Sequence, residues 1–166
     1  PLIYEAFTYY EREVLPFKND DMINAKAMPG AHAALQAVQD AGLRCALFTN
    51  PSFPQGAIEC RIGWGELTDA PFELVTHMGN ATRCKPDATY YLEQLQVMGL
   101  EPQEVLMVGN DPKRDFPSPD CGIQTAYVGQ GKPSRATWHG TMEDFAHNFN
   151  AVVEAFYEHQ VAEELS

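Results

Sequence analysis

Residues 105–115 hold the densest chemistry in the chain: Val105–Val108 is a run of four apolar residues, Gly109 ends it, and Asn110, Asp111 and Asp115 follow. A short apolar run closed by turn residues reads as a buried parallel strand. In open α/β sheets ligands collect just beyond the carboxyl ends of such strands. Two carboxylates four residues apart on that rim, with an amide beside them, are hard oxygen donors suited to Mg²⁺. The plain alternative is a polar turn that merely follows a strand.

Two further segments carry chemistry of the same kind. Leu43–Phe48, apolar apart from Arg44, reads as a second short strand, ending in the hydroxyl of Thr49 and the amide of Asn50. These groups can hold a phosphoryl oxygen at a sheet rim, or can simply cap the Asn50–Pro51 turn. Lys85 precedes Pro86, a residue suited to the first turn of a helix. An ammonium there can neutralise a transferred anion, or be an exposed lysine that the helix dipole slightly disfavours.

In chain order these give a strand with Thr-Asn, a Lys-Pro before a helix, and a strand with Gly-Asn-Asp and a later Asp. That order and spacing resembles the haloacid dehalogenase-like (HAD) superfamily, over about residues 29–129. The chain is similar in particular to a bacterial group of C1-cap type HAD hydrolases. The shared motifs stand here as Thr49-Asn-Pro-Ser-Phe-Pro54, Trp64-Gly65, Cys84-Lys-Pro86 and Met107-Val-Gly-Asn-Asp111.

The resemblance implies a Rossmann-like, doubly wound α/β core with a parallel sheet. It implies Thr49, Asn50 and Lys85 as catalytic and substrate-binding residues, and Asp111 and Asp115 as ligands to a Mg²⁺ cofactor. The reaction implied is phosphoryl transfer from a small phosphomonoester through an aspartyl-phosphate. The acidic pair favours this phosphatase branch over a dehalogenase, which needs no metal. Asn110 stands where the common family form has its aspartate, so the metal ligand is assigned to Asp111 on its spacing to Asp115. Pro117 and Pro119 should shorten or break the helix that usually follows.

The family's nucleophile lies in an Asp-x-Asp motif at the end of its first strand, and no Asp-x-Asp occurs in these 166 residues. The expectation is therefore that the chain is the C-terminal portion of a longer protein. Residues 1–28 would be the end of a helical cap and a linker. Residues 29–166 would be an α/β core lacking its first strand. Roughly 60–100 residues would lie upstream, consistent with ordinary domain sizes. That strand would insert between Leu43–Phe48 and Val105–Val108, which are expected to share one parallel sheet. Without it, each buried backbone group left unpaired would cost on the order of 1–3 kcal/mol. The alternative is a non-catalytic protein that keeps the HAD fold for binding or regulation.

Composition sets outer bounds. A hydrophobic share of 45% supports a folded core, and a formal charge of −12 disfavours nucleic acid or an anionic membrane as partner. No apolar run reaches transmembrane length and no signal-peptide pattern opens the sequence. The four cysteines show no Cys-x-x-Cys spacing and the five histidines no paired ligand spacing. Together these predict a cytoplasmic protein with reduced thiols. Oligomeric state and the identity of the phosphate ester are left open.

Periodicity places the remaining elements. Ile3, Phe7, Tyr10 and Val14 mark an amphipathic helix that ends at Leu15–Pro16. Helices are predicted over residues 31–41, 56–64, 86–98 and 142–158, and further strands over 72–76 and 122–128. Strands alternating with helices give right-handed crossovers and a parallel sheet.

Overall fold

A computed structural model describes residues 2–20 and 23–164, with side chains to residue 161. The strands are β1 (Cys45–Leu47), β2 (Phe72–Val75), β3 (Leu106–Gly109), β4 (Gln124–Val128) and β5 (Trp138–Gly140), and every pairing among them is parallel. The helices are α1 (Leu2–Tyr9), α2 (Ala31–Asp40), α3 (Gln55–Trp64), α4 (Ala88–Met98), α5 (Met142–His147) and α6 (Phe149–Glu164).

Alternation along the strands builds a core on each face of the β3–β4–β5 sheet. Leu106, Val108, Ala126 and Val128 face α2, α5 and α6, where Ala34, Phe145, Phe149 and Val152 are buried. Val105, Met107 and Ile123 turn the other way, onto Tyr90, Tyr91 and Leu95 of α4. A strand presents successive side chains to opposite faces, so apolar residues at consecutive positions need helices on both sides. This is the doubly wound α/β architecture that the sequence pattern predicts.

Leu43–Phe48 and Val105–Val108 are expected to share one parallel sheet with a further strand between them. Among the described residues, pairing falls into two pieces, β1–β2 and β3–β4–β5, so β1 and β3 each carry one unpaired edge. α4 spans the interval: Phe48, just past β1, and Met107 of β3 both pack against its Tyr90–Tyr91 cluster. At the amino end, Arg44 donates to the Met98 carbonyl at 2.9 Å.

Local chemistry accounts for the other differences from the predicted elements. The helix expected from Pro86 begins at Ala88, because the Asp87 carboxylate caps it by accepting from Thr89 N–H at 2.8 Å. The single helix expected over 142–158 is two. α5 opens with a capping box between Thr141 and Asp144. It ends at Asn148, whose side-chain amide takes the Asp144 carbonyl at 2.8 Å. β5 escapes sequence patterning because it is only three residues long.

The amphipathic helix expected to run to Val14 is α-helical only to Tyr9, then a π turn (Tyr10–Val14) and a 3-10 turn (Leu15–Lys18). Its stripe faces solvent here, with Ile3, Phe7 and Tyr10 exposed. The 3-10 turn is tied to the body where Trp64 Nε1 donates to the Pro16 carbonyl at 3.2 Å.

Candidate active site at the carboxyl rim

Lys85 joins the two halves of the molecule. Its ammonium donates to the Phe48 carbonyl at 2.9 Å, at the carboxyl end of β1, and to Asp115 Oδ1 at 2.6 Å, past the end of β3. Both side chains are largely buried, at 9% and 14% exposure, so the ion pair is shielded from water and salt. The other Asp115 oxygen, Oδ2, accepts from the backbone N–H groups of Asn110 at 3.0 Å and Asp111 at 2.9 Å. Both carboxylate oxygens of Asp115 therefore have partners, one cationic and two from the main chain.

Gly109 makes that geometry possible. A Cβ on it would lie 2.4 Å from Asp115 Cβ, so only glycine lets β3 end with the Asp115 side chain folded back across it. The connecting turn closes through Asp115 N–H to the Asp111 carbonyl at 2.7 Å. Beyond it, Phe116 and Pro117 are buried and only a 3-10 turn (Pro119–Cys121) follows, as the prolines predict.

Asp111 has a different environment. Its Oδ1 accepts from Lys113 N–H at 3.0 Å, its Oδ2 lies 3.6 Å from Arg114 Nε, and its side chain is 43% exposed. A carboxylate this open keeps lone pairs available to a cation. Asn110 is exposed and borders a depression of about 380 Å³ with Tyr127, Gly129 and Glu143.

Thr49 sits at the rim with its own donors engaged. Its N–H goes to Thr76 Oγ1 at 2.7 Å and its hydroxyl to the Thr76 carbonyl at 2.7 Å. Asn50 beside it is exposed. Thr76, fully buried, was missed by sequence reasoning. A hydroxyl one residue past β2, near the strand end as Thr49 is two residues past β1, is the signal that could have found it.

Thr49, Lys85 and Asp115 are thus gathered at one rim, with Asp111 at its open side and Asn50 adjoining. The donor set for a metal is chemically apt but incomplete. Asp111 and Asp115 offer hard oxygens, while among the described residues no three His, Cys, Asp or Glu side chains cluster to hold an ion.

The comparisons with known proteins agree with this architecture. The family model for haloacid dehalogenase-like hydrolases matches residues 4–119, and the chain belongs to that family. Its fold is similar to that of a β-phosphoglucomutase from Clostridium difficile, with TM-score 0.69 and 16% identity over 95% of this chain and 66% of that one. A HAD phosphatase from Thermococcus onnurineus aligns with TM-score 0.62 and 20% identity, over 75% and 57% of the two chains. A HAD family hydrolase from Deinococcus radiodurans, with bound phosphate and sodium, aligns with TM-score 0.60 and 20% identity, over 76% and 58%. At these identities the likeness establishes the fold. The chain spans about three fifths of the length of these structures. No curated protein matches it. Among the described residues no helix is long and apolar enough to cross a membrane.

Proposed function

We propose that the complete protein is a Mg²⁺-dependent phosphatase of small phosphomonoesters, working through an aspartyl-phosphate, and that the segment carrying the nucleophilic aspartate lies upstream of residue 1. The observation that carries this is the bridge from Lys85 to both Phe48 and Asp115. It sets a cation where the carboxyl ends of β1 and β3 meet, beside Thr49. The unpaired edges of β1 and β3 support the second part, since one parallel strand between them would satisfy both edges. On this view residues 1–28 finish a cap and residues 29–166 form the core that the upstream strand completes.

Each residue then has a task. Lys85 offsets the charge of the substrate phosphate and keeps it apart from the Asp115 carboxylate. The Thr49 hydroxyl turns from the Thr76 carbonyl to a phosphoryl oxygen when substrate enters, as donors in unliganded sites commonly do. Asn50 supplies a second polar contact. Asp111 and Asp115 hold the metal, with the remaining ligands coming from the upstream aspartates. A bound Mg²⁺ would supply charge neutralisation between the phosphate and the attacking carboxylate. The four free cysteines suit a reducing, cytoplasmic setting.

The test is steady-state hydrolysis of p-nitrophenyl phosphate by the full-length polypeptide. Turnover that needs Mg²⁺, stops with EDTA and falls in Lys85→Ala is expected. A protein that binds neither Mg²⁺ nor phosphate and hydrolyses nothing would instead be a non-catalytic member of the family. Metal titration of Asp111→Asn and Asn110→Ala then settles the ligand. A larger loss from the asparagine change would move the assignment by one residue.

A further inference from the structure

Two consecutive tyrosines on the first turn of α4 are wholly buried and reach opposite halves of the rim. Tyr90 and Tyr91 are each 0% exposed, and their rings meet edge to face at 5.1 Å. Phe48 closes the cluster with its ring 5.9 Å from that of Tyr90. Neighbouring residues on a helix point about 100° apart, so one turn can address two different loops.

The hydroxyls settle which loops these are. Tyr90 donates to the Thr49 carbonyl at 2.6 Å, and its oxygen lies 2.9 Å from Thr76 Oγ1. Thr76 Oγ1 in turn accepts from Thr49 N–H. A phenol carries one proton, so that of Tyr90 goes to Thr49 and that of Thr76 to Tyr90. Thr49 is thereby held at its N–H and its carbonyl by a network that contains no charge. Tyr91 donates to the Asp115 carbonyl at 2.6 Å, which fixes the backbone behind the Lys85–Asp115 pair. Burial costs both phenols their water, and such hydroxyls are retained where they make a bond.

We propose that Tyr90 and Tyr91 are positioning residues acting on separate halves of the site, Tyr90 fixing Thr49 on the phosphate side and Tyr91 fixing Asp115 on the metal side. This rests on the phosphatase reading above. Neither hydroxyl touches the reacting groups; each acts through the main chain of a residue that does. The consequence is separability: deleting one oxygen should move one kinetic parameter and leave the other in place.

The experiment uses the full-length protein with p-nitrophenyl phosphate as substrate and inorganic phosphate as competitive inhibitor, with Mg²⁺ titrated both over the activity and, by calorimetry, into the protein without substrate. Tyr91→Phe should raise the half-saturating Mg²⁺ concentration about tenfold, the order expected of one hydrogen bond, with phosphate inhibition at saturating metal unchanged. Tyr90→Phe should raise KM and the phosphate inhibition constant by a similar factor, with the Mg²⁺ midpoint unchanged. Thr76→Val removes the same network from the other side and should reproduce the Tyr90→Phe pattern. A merely structural role would lower the active fraction, and with it kcat, in every variant without separating these constants. Parallel shifts in both variants, or no shift in either, would overturn the inference while leaving a wild-type phosphatase intact. A wild type with no Mg²⁺-dependent turnover would overturn the proposed function and this inference with it.

Discussion

Replacing Lys85 by methionine isolates the interaction that joins the two halves of the rim. The side chain keeps its apolar stem but loses the ammonium. Asp115 is left 14% exposed with two backbone donors and no counter-charge, and the Phe48 carbonyl loses its donor. Stranding one member of a buried ion pair costs about 3–5 kcal/mol. The two N–H bonds to Oδ2 survive, which places this case near the low end, at about 3 kcal/mol. A domain with roughly 5–15 kcal/mol of stability remains folded after such a loss. Urea unfolding should show the midpoint falling with the m-value unchanged. Adding Asp115→Asn removes the stranded charge and keeps an acceptor for the two N–H groups. The double variant should therefore be more stable than Lys85→Met alone by more than about 1 kcal/mol, a coupling typical of residues in contact. A Lys85→Met protein within about 0.5 kcal/mol of wild type would refute the idea that this pair holds the rim together.

Three other outcomes follow from the geometry. Burial, above all, pushes the Tyr90 and Tyr91 phenols above their ordinary value. Their unfolded counterparts ionise near pH 10, so the stability they confer is present below about pH 10 and lost as pH rises beyond it. Urea unfolding from pH 8 to 11 measures that decline, and Tyr90→Phe/Tyr91→Phe should flatten it. Gly109→Ala would drive a Cβ to 2.4 Å from Asp115 Cβ and displace that carboxylate. Its cost to the full-length enzyme's kcat/KM should be on the order of a hundredfold, read on an aryl phosphate. Thr141→Ala removes the α5 cap at a cost of about 1 kcal/mol in urea unfolding. The Thr141 backbone N–H and then its hydroxyl hold the Asp144 carboxyl below the usual range, so Asp144 stabilises the fold above an ordinary aspartate pKa and ceases to as acid protonates it. In Thr141→Ala the Asp144 signal should titrate nearer the ordinary value by NMR.

The α/β class was legible because Val105–Val108, and Leu43–Phe48 apart from Arg44, are short, apolar and closed by turn residues, as buried parallel strands are. The meeting of Thr49, Lys85 and Asp115 at one rim was legible for a related reason, since Thr49 and Asp115 follow strands, and Lys85 precedes a helix, whose ends share one edge. What stayed hidden depends on contacts distant in sequence or on very local competition. Thr76 matters through Thr49, 27 residues away. The break at Asn148 turns on one side-chain amide, which periodicity does not register.

The most direct test of the proposed site is a structure of the full-length protein with Mg²⁺ and tungstate, a phosphate analogue with a strong anomalous signal. A tungsten peak within about 3–4 Å of Lys85 Nζ and Thr49, beside a metal bound to Asp111, is the result expected of hydrogen-bonded oxyanion contacts. Tungstate bound elsewhere, with Lys85 still closed on Asp115 and no metal at the rim, would contradict the assignment.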